Sequence, residues 1–183
     1  PTLYLGLGGT GIPMRKAELG GRHGKQPDGS SKNREVKLCT VWSAESRDTH
    51  GLPERDPGSV SHSAAIESAA PLDTQQGLSA FAKRVQREAD RRGFPRARRR
   101  VVLGDGAVWI WAIADAQFPD AVQIVDRFHV KQHLSDVAKA IWGPASSVAA
   151  EWATARHAEL DDGRLDDLLL ALRIHAPACD DAR

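Results

Sequence analysis

Three short stretches hold residue types that could do chemistry, each depending on where the chain places them. Gly6-Leu7-Gly8-Gly9-Thr10-Gly11 follows a short apolar run and formally fits the glycine spacing of a phosphate-cradling loop. Such a loop needs a helix opening directly behind the glycines, so that its first N–H groups meet the phosphates. Here Pro13 and a glycine-rich polar segment follow, and the next suitably spaced acid, Asp28, falls inside that segment, so nucleotide binding is the disfavoured reading.

Gly104-Asp105-Gly106 ends the apolar run Val101-Val102-Leu103, which delivers one carboxylate to a strand end. That position suits a ligand for a hard divalent cation, although taken alone a cap for the following helix is the favoured reading. Asp126-Arg127-Phe128-His129 follows the next apolar run, with His133 one helical turn beyond His129. Residues at i and i+4 share a helix face, so metal or phosphate binding is geometrically open to the pair. The plainer alternative is an aspartate that starts a helix carrying two partly exposed histidines.

The elements that must position these groups alternate. Leu3 to Leu7 reads as a buried strand, residues 15 to 35 as a long polar loop, Val36 to Ala44 as a second strand and Ser59 to Ile66 as a third. Leu78, Phe81, Ala82, Val85 and Ala89 form one apolar helical stripe that ends near Gly93. Arg99 to Leu103 is a strand, and Ala107 to Phe118 has helical length, although Val108-Trp109-Ile110-Trp111 also suits a strand. A strand over Ala121 to Val125 and a helix over Phe128 to Trp142 follow, and Gly143-Pro144 stops that helix. Beyond Pro144 the patterns are helical only, Ala145 to Leu160 and Leu165 to Ile174. The order predicts an α/β fold with a mixed sheet and flanking helices.

Composition excludes several classes. With 183 residues, 41% hydrophobic and 27% charged, the chain can bury one sizeable core, and no apolar run reaches the length of a membrane span. Two cysteines far apart, Cys39 and Cys179, make neither a disulfide framework nor a cysteine zinc site. A soluble intracellular protein with no membrane partner is expected. The net charge of +1 conceals a split: residues 1–100 hold 18 Lys+Arg against 11 Asp+Glu, and residues 101–183 hold 7 against 13. Arg91, Arg92, Arg96, Arg98, Arg99 and Arg100 concentrate the basic half and are candidate phosphate contacts.

Taken in order, Tyr4-Leu5-Gly6, Gly9-Thr10-Gly11-Ile12-Pro13-Met14, Gly24 to Ser30, Arg34 to Cys39, Gly104-Asp105-Gly106-Ala107 with Trp109-Ile110, and Ile124 to His129 resemble the ISKra group of insertion-sequence transposases. These are similar to the wider DDE class, in which three acids on an RNase H-like fold hold two metal ions, Mg²⁺ or Mn²⁺. The resemblance implies an RNase H-like core over residues 1–143 and the start of an all-helical insertion over 144–183. It implies that Asp105 is the second acid, beside the first, and that Asp126 and His129 form a supporting or DNA-contacting pair. Implied partners are transposon ends and target DNA, with a homo-oligomer in the full-length protein, in the bacterial cytoplasm at the nucleoid.

The family pattern has Asp-Gly-Thr-Gly where this chain has Gly8-Gly9-Thr10-Gly11, so the first acid is lost. The third acid, a glutamate, lies beyond the helical insertion in which the chain ends. The expectation is therefore an internal transposase fragment that does not cleave DNA. The alternative is a non-catalytic or domesticated module that holds DNA through the same six arginines together with Arg84 and Arg87 on the preceding helix.

Overall fold

The computed structural model describes residues 1–13, 15, 33–68 and 78–175. The polar stretch from 16 to 32, with Asp28, and Cys179 lie outside the described residues. Contacts divide the chain into two compact units, Pro1–Val125 and Asp126–Arg183. The division falls ahead of the helix that follows Asp126, whereas the sequence reading sets the boundary after that helix, at 143.

The first unit is α/β. Its strands β1 (Thr2–Pro13), β2 (Asn33–Ser43), β5 (Ser61–Ser68), β6 (Arg99–Gly104) and β7 (Val122–Val125) form a five-stranded mixed sheet in the order β5-β2-β1-β6-β7. A two-stranded ribbon, β3 (Ser46–Arg47) with β4 (Pro53–Glu54), lies between β2 and β5 in the chain. Strand β2 runs antiparallel to both its neighbours, while β6 is parallel to β1 and β7 to β6. Parallel neighbours need a crossover, and the helices supply it: α1 (Ala80–Arg91) precedes β6, and α2 (Val108–Gln117) joins β6 to β7.

The apolar stripe of α1 buries Phe81, Ala82, Val85 and Ala89. Ser79 starts the helix by accepting the Ala82 N–H on its hydroxyl, so Leu78 remains outside it. These side chains meet Leu5, Leu7, Cys39, Val41 and Val102 from the sheet, with Ile110, Ile113 and Ala114 from α2. The residue set of β2 that faces this core is therefore Lys37, Cys39 and Val41, while Leu38 on the opposite face stays 41% exposed. The register decides this, because Leu5 pairs with Val41 and Leu7 with Cys39. Burial, and secondarily the nearby Glu88 carboxylate, pushes the Cys39 thiol up to about 12. Lys37 is buried, with its ammonium 4.6 Å from the Trp109 ring centroid.

The helix over Val108-Trp109-Ile110-Trp111 settles the one ambiguous segment. A helix places Ile110, Ile113 and Ala114 together against the sheet, which a strand with alternating faces could not do.

The second unit consists of α3 (Arg127–Trp142), α4 (Ser147–Asp161) and α5 (Leu165–His175). Small residues Ala138, Ala149 and Ala153 let α3 and α4 approach, and Trp142 and Trp152 close the contact. The His157 Nε2 lies 2.9 Å from the Lys131 carbonyl oxygen, so this nitrogen donates. Its neighbour Ser135 hydroxyl, 3.2 Å away, is thus part of a clasp between helices and has no base to activate it. Asp161 accepts from Lys131 at 2.5 Å and pairs with Arg127 at 3.3 Å. No helix among the described residues is long and apolar enough to cross a membrane.

Candidate functional site

The glycine-rich segment is not a loop. Gly6 to Gly11 lie inside β1 and pair residue for residue with Thr40 to Glu35 of β2. Their N–H groups belong to a strand that continues directly behind them through Pro13, so the phosphate-loop reading fails on geometry.

The same strand carries position 8 to Asp105. In the parallel β1–β6 ladder Leu5 pairs with Val102 and Gly6 with Leu103. Two residues further along each strand stand Gly8 and Asp105. Alternation sets both away from the core face, because Leu5, Leu7 and Val102 point into the core. A β-carbon built on Gly8 meets nothing within 4 Å. The end of β6 thus presents a carboxylate, and the neighbouring strand offers space at the matching position.

Asp105 is half-buried, and its Oδ1 accepts the Ala107 N–H at 2.9 Å. It closes the turn at the strand end, while the residue that caps α2 is Ala107, which has no capping side chain. The two glycines around it answer separate local demands. Gly104 lies against Ile110, where a β-carbon would come to 2.7 Å of Cγ2, and Gly106 holds φ +99°, which side chains rarely adopt.

Asp126 begins α3 and accepts the backbone N–H groups of Phe128 and His129, at 2.9 and 3.2 Å. The His129 Nδ1 stands 3.3 Å from the same oxygen. Partial burial raises the carboxyl pKa, but the hydrogen bonds from the His129 N–H, the His129 ring and the Phe128 N–H outweigh it and leave Asp126 below the ordinary aspartate value. Asp126 and His129 are therefore a real pair, and Asp126 is also the helix-starting aspartate. His133 is exposed on the same helix.

The six arginines divide by what already holds them. Arg91 makes a two-pronged contact with Glu88, at 3.1 and 2.7 Å, and this contact is the first cause of the lowered Glu88 pKa. Arg92 donates to the Ser59 carbonyl oxygen, and Arg100 stands 3.7 Å from Asp120. Arg96, Arg98 and Arg99 have no hydrogen-bond or ion-pair partner among the described residues.

A feature with no sequence signal lies where β1 and β6 begin, the end of these strands opposite to Asp105. A cavity of about 560 Å³ is lined there by Thr2, Tyr4, Glu45, Arg47, Arg98 and Arg99, among others. Its walls come from four separate stretches of the chain, the start of β1, the corner after β2, Pro53 and the start of β6, so only the folded register assembles it.

One carboxylate at a strand end does not make a two-metal site, and the residues present around Asp105 do not fit one. Among the described residues no group of three or more His, Cys, Asp or Glu side chains could hold a metal ion. Comparison with protein-family models, with curated proteins and with solved structures finds no match.

Proposed function

We propose that the first unit is the RNase H-like core of a DDE-type DNA transposase that has lost its first acid, and that the chain does not cleave DNA. The observation that carries this reading is the relation between Gly8 and Asp105. The resemblance requires the first and second acids on neighbouring strands. The register leads to those two positions, with open space where the missing side chain would stand. The strand order supports the same reading, since an RNase H-like sheet has its first strand central, the second antiparallel on one side and the fourth parallel on the other.

The role left to the chain is binding. Arg96, Arg98 and Arg99, unpaired among the described residues, can meet phosphates, which favours retained DNA affinity that is independent of sequence and falls steeply with salt. Incubating the chain with supercoiled plasmid and Mg²⁺ or Mn²⁺ tests the reading. The expected result is binding without nicking. Nicking by the unaltered chain that disappears in Asp105→Asn contradicts the loss of catalysis.

A further inference from the structure

We infer that the cavity at the start of β1 and β6 is a binding site for a dianionic phosphate group, either the terminal monoester of a strand or free phosphate. It lies at the far end of the strands from Asp105, and it does not rest on the reading of Asp105 as a former metal ligand. Asp105 lies six positions beyond Arg99, just past the end of β6, which places the two sites roughly 20 Å apart at the rise of an extended strand.

The charge of the lining selects the ligand. Among the lining side chains, Arg47, Arg98 and Arg99 contribute three positive charges and Glu45 one negative charge, and Pro1 stands in the same wall. Glu45 is already engaged, since its Oε1 accepts the Thr2 N–H at 2.6 Å, a bond that is the first cause of its lowered pKa. The surplus of two positive charges matches a phosphate monoester, which carries about −1.5 to −2 at neutral pH. A phosphodiester or a carboxylate, with one charge, matches it less well. Arginine is suited to the task because its planar fork meets phosphate oxygens two at a time.

Arg47 is fixed in advance. Its Nη1 donates to the carbonyl oxygens of Ala44, Glu45 and Ser46, at 3.2, 3.3 and 3.0 Å. Its Nε and Nη2 have no partner among the described residues. The corner that carries it is held by Asp56, which accepts from the Ser46 N–H at 2.7 Å and the Ser46 hydroxyl at 2.6 Å. Little side-chain freedom remains for a ligand to freeze at this guanidinium. Arg98 and Arg99 add unpaired donors from β6 and the residue before it, and Tyr4 stands in the same wall. The volume of about 560 Å³ exceeds a lone phosphate and leaves room for the sugar of a strand terminus.

Two sources could supply the group, a terminal phosphate on a nucleic-acid strand or a free phosphate. The test compares a short single-stranded oligonucleotide with and without a 5′-phosphate, by fluorescence anisotropy, alongside titration of inorganic phosphate followed through the amide signals of Thr2 and Ala44 to Arg47. For the strand source, the phosphorylated oligonucleotide should bind about tenfold tighter, and the preference should vanish in Arg98→Gln/Arg99→Gln but survive in Arg84→Gln/Arg87→Gln. For the free source, inorganic phosphate shifts those amides while the two oligonucleotides bind alike. Equal affinities together with unmoved amides in the unaltered chain overturn the inference, as does a preference that persists in the Arg98/Arg99 variant. The amide titration reads the unaltered protein, so a poorly folded variant cannot obscure the result.

Discussion

The Glu35 carboxylate occupies the place that a β-carbon on Gly9 would need, while the same construction on the adjacent Gly8 meets nothing within 4 Å. Two successive glycines of one strand therefore have opposite tolerances. Alternation explains the difference, because Gly9 shares a face with Glu35 and Lys37, whereas Gly8 shares the open face with Leu38. The position at which the family pattern has its aspartate is the one that accepts a side chain.

The glycines should accordingly answer substitution in different ways. Gly8→Ala is expected to be neutral or to stabilise by up to about 1 kcal/mol, because glycine weakens a strand interior. Gly104→Ala should destabilise by roughly 1–3 kcal/mol, because its β-carbon collides with the fully buried Ile110. Urea unfolding of the two variants checks the contrast. Equal losses would show that the tight contact lies elsewhere.

Asp56 ties the corner after β2, and its ionisation should make that corner sensitive to acid. The Ser43 hydroxyl first, then the Ser46 hydroxyl and the Ser46 and Glu45 N–H groups, hold its carboxyl well below the ordinary aspartate range. A depressed folded pKa gives stability that is fully present above the unfolded value and is lost as pH falls through the folded one. Asp56→Asn should lower the melting temperature at pH 7, and the gap to the unaltered chain should narrow as pH falls below about 4. A gap that is unchanged between pH 7 and pH 2.5 is the contrary result.

Asp126 should act on α3 through its carboxylate oxygen alone. Asp126→Ala removes the acceptor for two N–H groups and should cost about 1 kcal/mol, with faster amide exchange at Phe128 and His129. Asp126→Asn should retain most of the cap. His129→Ala should leave those amides protected, because the backbone bonds do not need the ring. Exposure of the same amides in His129→Ala would mean that the ring, and not the cap, orders the helix start.

Much of the fold was legible because it is written in periodicity. The stripe from Phe81 to Ala89 predicts α1, and Val101 to Leu103 predicts the strand that ends at Asp105. The full length of β1 was not legible, because Gly6 to Gly11 reads as a loop until antiparallel pairing with β2 satisfies its backbone. The inward face of β2 was not legible either, since alternation sets Val36, Leu38, Thr40 and Trp42 against Lys37, Cys39, Val41 and Ser43 and leaves apolar residues on both faces. Lys37 turns inward because the Leu5–Val41 and Leu7–Cys39 pairs fix the register, and the Trp109 ring lies beneath its ammonium. Of the site, Asp105 and the Asp126–His129 pair could be found from strand ends and helix starts. The cavity of Arg47, Arg98 and Arg99 could not, because its walls are distant in sequence.

Under the proposed function, position 8 and Asp105 are the two halves of one cation site, of which the chain retains half. Titration of Mn²⁺ followed by electron paramagnetic resonance tests it in the unaltered chain, in Gly8→Asp and in Gly8→Asp with Asp105→Asn. The expected result is no saturable binding in the first, binding at or below millimolar Mn²⁺ in the second and its loss in the third. Binding in Gly8→Asp that survives Asp105→Asn, or no binding in a Gly8→Asp chain that melts like the unaltered one, would contradict it.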